Sequence, residues 1–340
     1  ADRLLVVSSG LHGVEGFFGS ASQLSAMVDR FGGWEPGPGE AVLLIHALNP
    51  YGFAWRRRFD EANVDLNRNF LVDGEAFEGA PPRYLELDAL LNPKRGGGLI
   101  DHAAFLARAT WIIQRWGLPA LKEAVAGGQY ERPLGLFFGG EEPAGVQRIL
   151  ERRIGDWVGE AATIRHLDLH TGLGPSATYK LLTHPDVSES RRDAAREALG
   201  DVIEGWSASG VAYQVKGDLG RWMHRRWAER DCLSFCAEFG TYPPLTVLAA
   251  LRDENRAHHH LPEGHPAWLR AKRRLVEVFA PTVSGWRDES IRRSIDLMRQ
   301  FRKWTFDPLE RRGIAQNAEG TRDHSSRTSE RSRHPPEQKR

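Results

Sequence analysis

Cysteine is nearly absent. The 340-residue chain has two, Cys232 and Cys236. Such a pair cannot staple a chain of this length, so a disulfide-framed secreted scaffold is excluded. Long hydrophobic runs are missing as well. None reaches the roughly 18 apolar residues of an ordinary transmembrane helix, so a membrane-spanning helix is not expected. An excess of one charge is also lacking: Lys+Arg is 46 and Asp+Glu is 45, a formal net charge of +1. Nucleic acid as the main partner requires a basic footprint, and that class is set aside. No internal repeat is present. What remains is ordinary globular composition, with 41% hydrophobic and 27% charged residues, enough for a core that folds unaided.

Strand and helix patterns alternate along the chain. Leu4-Leu5-Val6-Val7 reads as a buried strand. The sequence opens at Ala1, just before that apolar stretch, with no basic-then-apolar leader pattern, and what precedes it is open. Phe17, Leu24, Val28 and Phe31 recur at helical spacing, with Gly32-Gly33 closing the helix. A second apolar run covers 41–47 and ends at the turn signal Asn49-Pro50-Tyr51-Gly52. From 81 to 160 the pattern is helical, with Phe105, Ala109, Ile112 and Trp116 on one face. Segments 163–170 and 233–239 read as further strands. Helices follow Pro244, one carrying Trp268, Ala271, Leu275 and Phe279, another Ile291, Ile295 and Met298. Residues 313–340 are rich in Ser, Arg, Glu and Pro and read as a disordered tail. The expected fold is a single α/β/α domain over 1–312, with a mixed, mostly parallel sheet and 81–160 as an inserted helical cap over the site.

Four groups of residues have the chemistry of a site. His12-Gly13-Val14-Glu15 lies just past the first strand, where open α/β sheets place ligands, and a His and a Glu three apart in a turn can reach one ion. His170 ends the 163–170 strand and precedes the Gly-rich turn Thr171-Gly172-Leu173-Gly174. Two His and one carboxylate with an open fourth position make a catalytic zinc site, although either His also suits a structural role. Asp168 lies on the same side as His170 and is either its orienting partner or a plain buried hydrogen-bonding group. Arg56-Arg57-Arg58 and Asp65-Leu66-Asn67-Arg68-Asn69-Phe70 combine guanidinium forks with amides, the chemistry that grips a carboxylate; a solvated basic loop is the plain reading for Arg56 and Arg57. Glu238 sits in the apolar strand Ser234-Phe235-Cys236-Ala237-Glu238-Phe239, where a carboxyl is costly unless ion-paired or working as a proton shuttle. The run His258-His259-His260 reads as a solvated helix end rather than a metal tract.

Taken in order, these elements resemble the zinc carboxypeptidase superfamily, which includes the succinylglutamate desuccinylase and aspartoacylase amidohydrolases. The detailed resemblance is to a bacterial branch known only as a domain of unknown function. It rests on Ser9–Gly16, Asn49–Trp55, Asp65–Phe70, Asp168–Gly174 and Glu238–Pro243, within residues 3–300. The resemblance implies one zinc ion per chain held by His12, Glu15 and His170, with Glu238 activating water and protonating the leaving nitrogen. It implies that Arg58 stabilises the oxyanion, with Arg57 able to trade places, and that Asn67 and Arg68 hold a substrate carboxylate. For a substrate-side tyrosine, Tyr213 and Tyr242 are both options.

The expected activity is zinc-dependent cleavage of an amide bond in a small acylated amino acid or short peptide with a free carboxylate. The alternatives are a zinc deacylase or esterase without carboxylate recognition, and a catalytically silent metal- or ligand-binding protein. The expected partner is a small-molecule or short-peptide substrate, with no nucleic acid and no membrane; the oligomeric state is open. Cys232 and Cys236 read as reduced, which favours a cytoplasmic location.

Overall fold

In the computed structural model, strand β1 (Arg3–Ser9) is apolar on both faces. Leu4 and Val6 join one buried cluster, Leu5 and Val7 another, as a parallel strand covered on both sides requires. The structure describes residues 1–117, 127–205 and 215–307; the expectations for Tyr213 and for the 313–340 tail lie outside them. The sheet continues with β2 (Glu40–Ile45), β3 (Thr163–Gly172), β4 (Tyr179–Thr183), β5 (Ile203–Gly205) and β6 (Asp231–Gly240), in the order β2-β1-β3-β6-β4-β5. Strands β2, β1, β3 and β6 run parallel; β4 pairs antiparallel with β6 and parallel with β5. The sheet is therefore mixed and mostly parallel, as expected.

Helices Gly16–Val28, Glu189–Leu199 and Trp286–Phe306 cover one face, packing Phe18, Ala195, Leu297 and Phe301 on Leu167 and Phe235. Helices Gly145–Val158 and Leu219–Arg226 cover the other, through Leu150, Ile154 and Trp222 against Leu4, Val6 and Ile164. A third cluster, outside the two layers, joins helices Pro82–Leu91, Leu99–Trp116, Pro244–His260 and Pro266–Phe279 to Val14, in the short turn after β1, and to Phe59 and Phe137 on loops. The 81–160 stretch is thus divided. Its first two helices pack beside the loop that carries Glu15, and Gly145–Val158 is part of a sheet-covering layer.

Pleat alternation decides what faces the site. On β3, Leu167 and Leu169 enter the first layer, so His166, Asp168 and His170 face the second. On β6, Phe235, Ala237 and Phe239 enter the first layer, leaving Ser234, Cys236 and Glu238 on the opposite face.

Candidate metal centre

Past β1 the chain turns at Gly10, whose φ of 66° lies in the left-handed region that glycine occupies at little cost. A 3-10 turn, Gly13–Glu15, then folds Glu15 back toward His12, with Nδ1 of His12 at 2.8 Å from Oε1 of Glu15. Gly13 is required for close approach: a Cβ there would lie 2.1 Å from the carbonyl carbon of Gly52. The N–H groups of Gly13 and Val14 donate to the carbonyls of Arg58 and Arg57 at 3.2 and 2.7 Å. Asn49 accepts from the Gly52 N–H at 2.7 Å and donates to the Arg58 carbonyl at 3.2 Å. The Asn49–Trp55 motif therefore braces the His12–Glu15 loop.

His170 comes to the same place from the carboxyl end of β3. Its Nδ1 lies 3.1 Å from Oε2 of Glu15, which also accepts from the Thr171 N–H at 3.1 Å. The ligand atoms of His12, Glu15 and His170 all lie within 4.8 Å of one another, and all three residues are buried. Each imidazole turns Nδ1 toward Glu15 and its other nitrogen toward a carboxylate: Nε2 of His12 lies 3.1 Å from Asp65, and Nε2 of His170 lies 2.6 Å from Asp168. Two imidazole nitrogens and a carboxylate, with both imidazoles anchored from behind, is a donor set that fits zinc.

Electrostatics reinforce the arrangement. Burial works to raise the Glu15 pKa, but the charges and hydrogen bonds of His12 and His170 outweigh it and hold the carboxyl ionised. Asp65 is likewise lowered despite burial, by Arg58, Arg68 and His12. Burial opposes a charge on His170, yet Asp168 and Glu15 pull its pKa well above the ordinary value. Glu238 goes the other way. It pairs in register with His170 across β3 and β6, and burial together with the Glu15 charge pushes it up to about 7. Its Oε1 accepts from the Leu173 N–H at 2.8 Å. Cys236, Glu238 and His170 also lie within 4.8 Å of one another. Both nitrogens of His170 are already turned to Glu15 and Asp168, so this grouping is no independent centre. Burial and the Glu238 charge keep the Cys236 thiol protonated.

Arg58 and Arg57 diverge. The Arg58 Nε donates to Asp65 at 2.9 Å, its Nη1 lies 3.5 Å from Glu15, and its guanidinium sits over the Phe137 ring at 5.5 Å. The Arg57 guanidinium takes a different course, although the Arg57 carbonyl accepts from the Val14 N–H beside Glu15. Arg57 is fully buried, donating to Glu254 at 3.1 Å, Asn63 at 2.8 Å and Asn255 at 3.1 Å. Lys272 pairs with the same Glu254 oxygen at 2.5 Å, making a buried ionic cluster. Arg68 is buried, with its guanidinium 6.0 Å from the Phe137 ring and Nη1 donating to the Asn67 carbonyl at 2.8 Å. The Asn67 side-chain oxygen accepts from the Leu219 N–H at 3.1 Å. The Tyr242 hydroxyl donates to Glu277 at 2.9 Å.

Two residues of the site were not singled out from the sequence. Asp65 holds both His12 and Arg58, and its only sequence signal is its place at the head of the Asp65–Phe70 motif. Phe137 lies under both guanidiniums at a φ of 59°, a costly conformation for an aromatic residue, on a segment whose Phe138 carbonyl accepts from the Asp65 N–H at 2.7 Å.

The fold and the cluster define an α/β/α protein with a His–Glu–His centre at the carboxyl ends of parallel strands. The family described as "Protein of unknown function (DUF2817)" matches residues 1–293, and the chain belongs to it. Solved structures similar to the chain include the succinylglutamate desuccinylase from Chromobacterium violaceum, at 16% identity and a TM-score of 0.38, covering 77% of this chain and 62% of that one. Carboxypeptidase A from Helicoverpa armigera is similar at 11% identity and a TM-score of 0.42, covering 82% and 62%. The murein-tripeptide amidase MpaA from Escherichia coli O157 is similar at 15% identity and a TM-score of 0.38, covering 81% and 82%. The chain thus spans 62% of the length of the first two. A comparison with curated proteins returns no match.

Proposed function

We propose that the protein is a zinc-dependent hydrolase that cleaves an amide bond in a small acylated amino acid or short peptide. One observation carries the reading: a buried glutamate, its Oε1 on the Leu173 N–H, stands in register beside a convergent His–Glu–His cluster. His12, Glu15 and His170 would hold one zinc ion, which when bound supplies a Lewis acid for water and the substrate carbonyl. Glu238 takes a proton from the attacking water and returns it to the leaving nitrogen, a task suited to a buried carboxyl beside the cluster. Arg58, held by Asp65 over Phe137, supplies positive charge for the oxyanion, a contribution of about 3 kcal/mol for one such donor. Asp65 and Asp168 keep the two imidazoles oriented. Asn67 and Arg68 receive the substrate carboxylate. A second reading, hydrolysis without carboxylate recognition, is favoured by the bonds these two already make to Leu219 and within their own turn. Among the described residues no helix is long and apolar enough to cross a membrane. The test is a hydrolysis screen of N-acyl amino acids, dipeptides and their C-terminal amides with zinc-loaded protein, metal-free protein and the Glu238→Gln variant. Turnover confined to the zinc-loaded wild type supports the reading. Equal rates in all three refute it.

A further inference from the structure

Behind Asp168, on the same face of the sheet, lies a row of polar side chains that the hydrolytic reading does not use. Ser8 is on β1, His166 on β3 and Ser234 on β6. The register places Ser8 opposite Asp168 and His166 opposite Ser234. All are sequestered, with Ser8 and His166 at 1% exposure and Asp168 and Ser234 at 4%. Their bonds form one chain. Ser234 Oγ lies 2.7 Å from His166 Nδ1, and His166 Nε2 lies 2.8 Å from Ser8 Oγ. Ser8 Oγ lies 2.7 Å from Asp168 Oδ1, whose other oxygen lies 2.6 Å from His170 Nε2.

We propose that Ser234, His166 and Ser8 form a one-way hydrogen-bond relay that positions Asp168 and, through it, the His170 imidazole for metal binding. The proposal rests on the metal-centre reading above. Donor chemistry sets the direction. An ionised carboxylate only accepts, so the Ser8 hydroxyl donates to Asp168. The Ser8 oxygen is then left to accept, and His166 Nε2 carries the proton that it accepts. Burial keeps His166 neutral, with its pKa lowered to about 4, so Nδ1 has a lone pair and accepts from the Ser234 hydroxyl. Every member has one permitted orientation. Both Asp168 oxygens are engaged, which fixes the carboxylate plane. The fixed carboxylate requires the proton of His170 on Nε2 and leaves Nδ1 facing Glu15. Further from the site, the same face is apolar: Leu4, Val6, Ile164 and Cys232 pack there under Ile154 and Trp222. Polar groups replace them in the rungs immediately behind His170, although burying them costs free energy unless each is bonded.

The test uses the full chain as wild type and as Ser8→Ala, His166→Leu and His166→Gln. Metal-free protein is titrated with Co²⁺, and affinity and the visible absorption spectrum of the bound ion are recorded. Thermal unfolding of each metal-free variant is measured alongside. Ser8→Ala and His166→Leu are expected to weaken Co²⁺ binding by about tenfold or more and to alter the spectrum. His166→Gln, whose amide can donate to Ser8 and accept from Ser234, is expected to bind close to wild type. If His166→Leu does not fold, Ser8→Ala and His166→Gln decide the matter. Wild-type affinity and spectrum in Ser8→Ala, with only a lower melting temperature, overturn the relay and leave these groups as packing. Absence of Co²⁺ binding in the wild type itself refutes the metal-centre reading, and the relay with it.

Discussion

Replacing Glu238 with Gln should strengthen the metal-free fold and destroy the activity. Glu238 is 9% exposed and close to the Glu15 charge, which together raise its pKa from the ordinary 4.5 to about 7. In the unfolded chain the carboxyl ionises above about 4.5, whereas the folded chain resists ionisation until about 7. The folded state therefore has its full advantage below 4.5 and loses it as pH rises through 7. At about 1.4 kcal/mol for each pKa unit, the loss reaches about 3 kcal/mol above pH 7. The amide of the Glu238→Gln variant accepts the same bond from the Leu173 N–H and never ionises. Urea unfolding of chelator-treated protein across pH 4 to 8 should show the variant gaining on wild type through that window and staying ahead by about 3 kcal/mol beyond it. The zinc-loaded variant should retain its metal and lose most turnover, since an amide cannot shuttle protons. Stability curves for the two proteins that run parallel over the whole range would refute the argument. So would turnover within a few-fold of wild type.

Three further outcomes are expected. Glu254→Gln strands the buried cations Arg57 and Lys272 and should cost about 3–5 kcal/mol in denaturant unfolding, while zinc affinity of the folded fraction stays unchanged. Asp65→Asn places an amide between His12 and Arg58 and should lower zinc affinity by about 10–100-fold, measured in competition with a chelating dye. Arg68→Ala should cost about 2–5 kcal/mol in kcat/KM on free-acid substrates and little on the matching amides, with Arg68→Lys recovering little; equal losses on both would assign Arg68 to support of the loop.

Much of this site is legible in one dimension because its parts are local. His12 and Glu15 share one turn, and the strand alternation of 164–170 already separates His166, Asp168 and His170 from Leu167 and Leu169. What escapes a linear reading depends on register. Ser8 and Ser234 meet His166 from positions 158 and 68 residues away, and in sequence each is an unremarked serine in an apolar strand. Arg57 and Arg58 are adjacent and chemically alike. The turn through Arg56, at a φ of 52°, precedes them, and one guanidinium goes to Glu254 while the other goes to Asp65. Strands β4 and β5 carry 5 and 3 residues, too few for a periodicity to emerge. Tyr242 lies in the bend after β6, and its acceptor, Glu277, comes from helix Pro266–Phe279, 35 residues away in sequence.

The pairing of β3 with β6 has a consequence for how such a protein can vary. Thr163 to Gly172 runs beside Asp231 to Gly240 without interruption, and the same ladder aligns Leu167 with Phe235 in the core and His170 with Glu238 at the site. Inserting or deleting a single residue in either strand beyond the core would turn a polar side chain into the first layer and an apolar one toward the second. The pairing of His170 with Glu238 and the packing of the core would then fail together. Length changes are therefore better borne by the segments between strands, while His170 and Glu238 stay side by side only as long as β3 and β6 pair in this register. Under the proposed hydrolytic reading, turnover would double as a readout of strand alignment. A library screened for retained turnover would discard misregistered sheets without any separate test of folding.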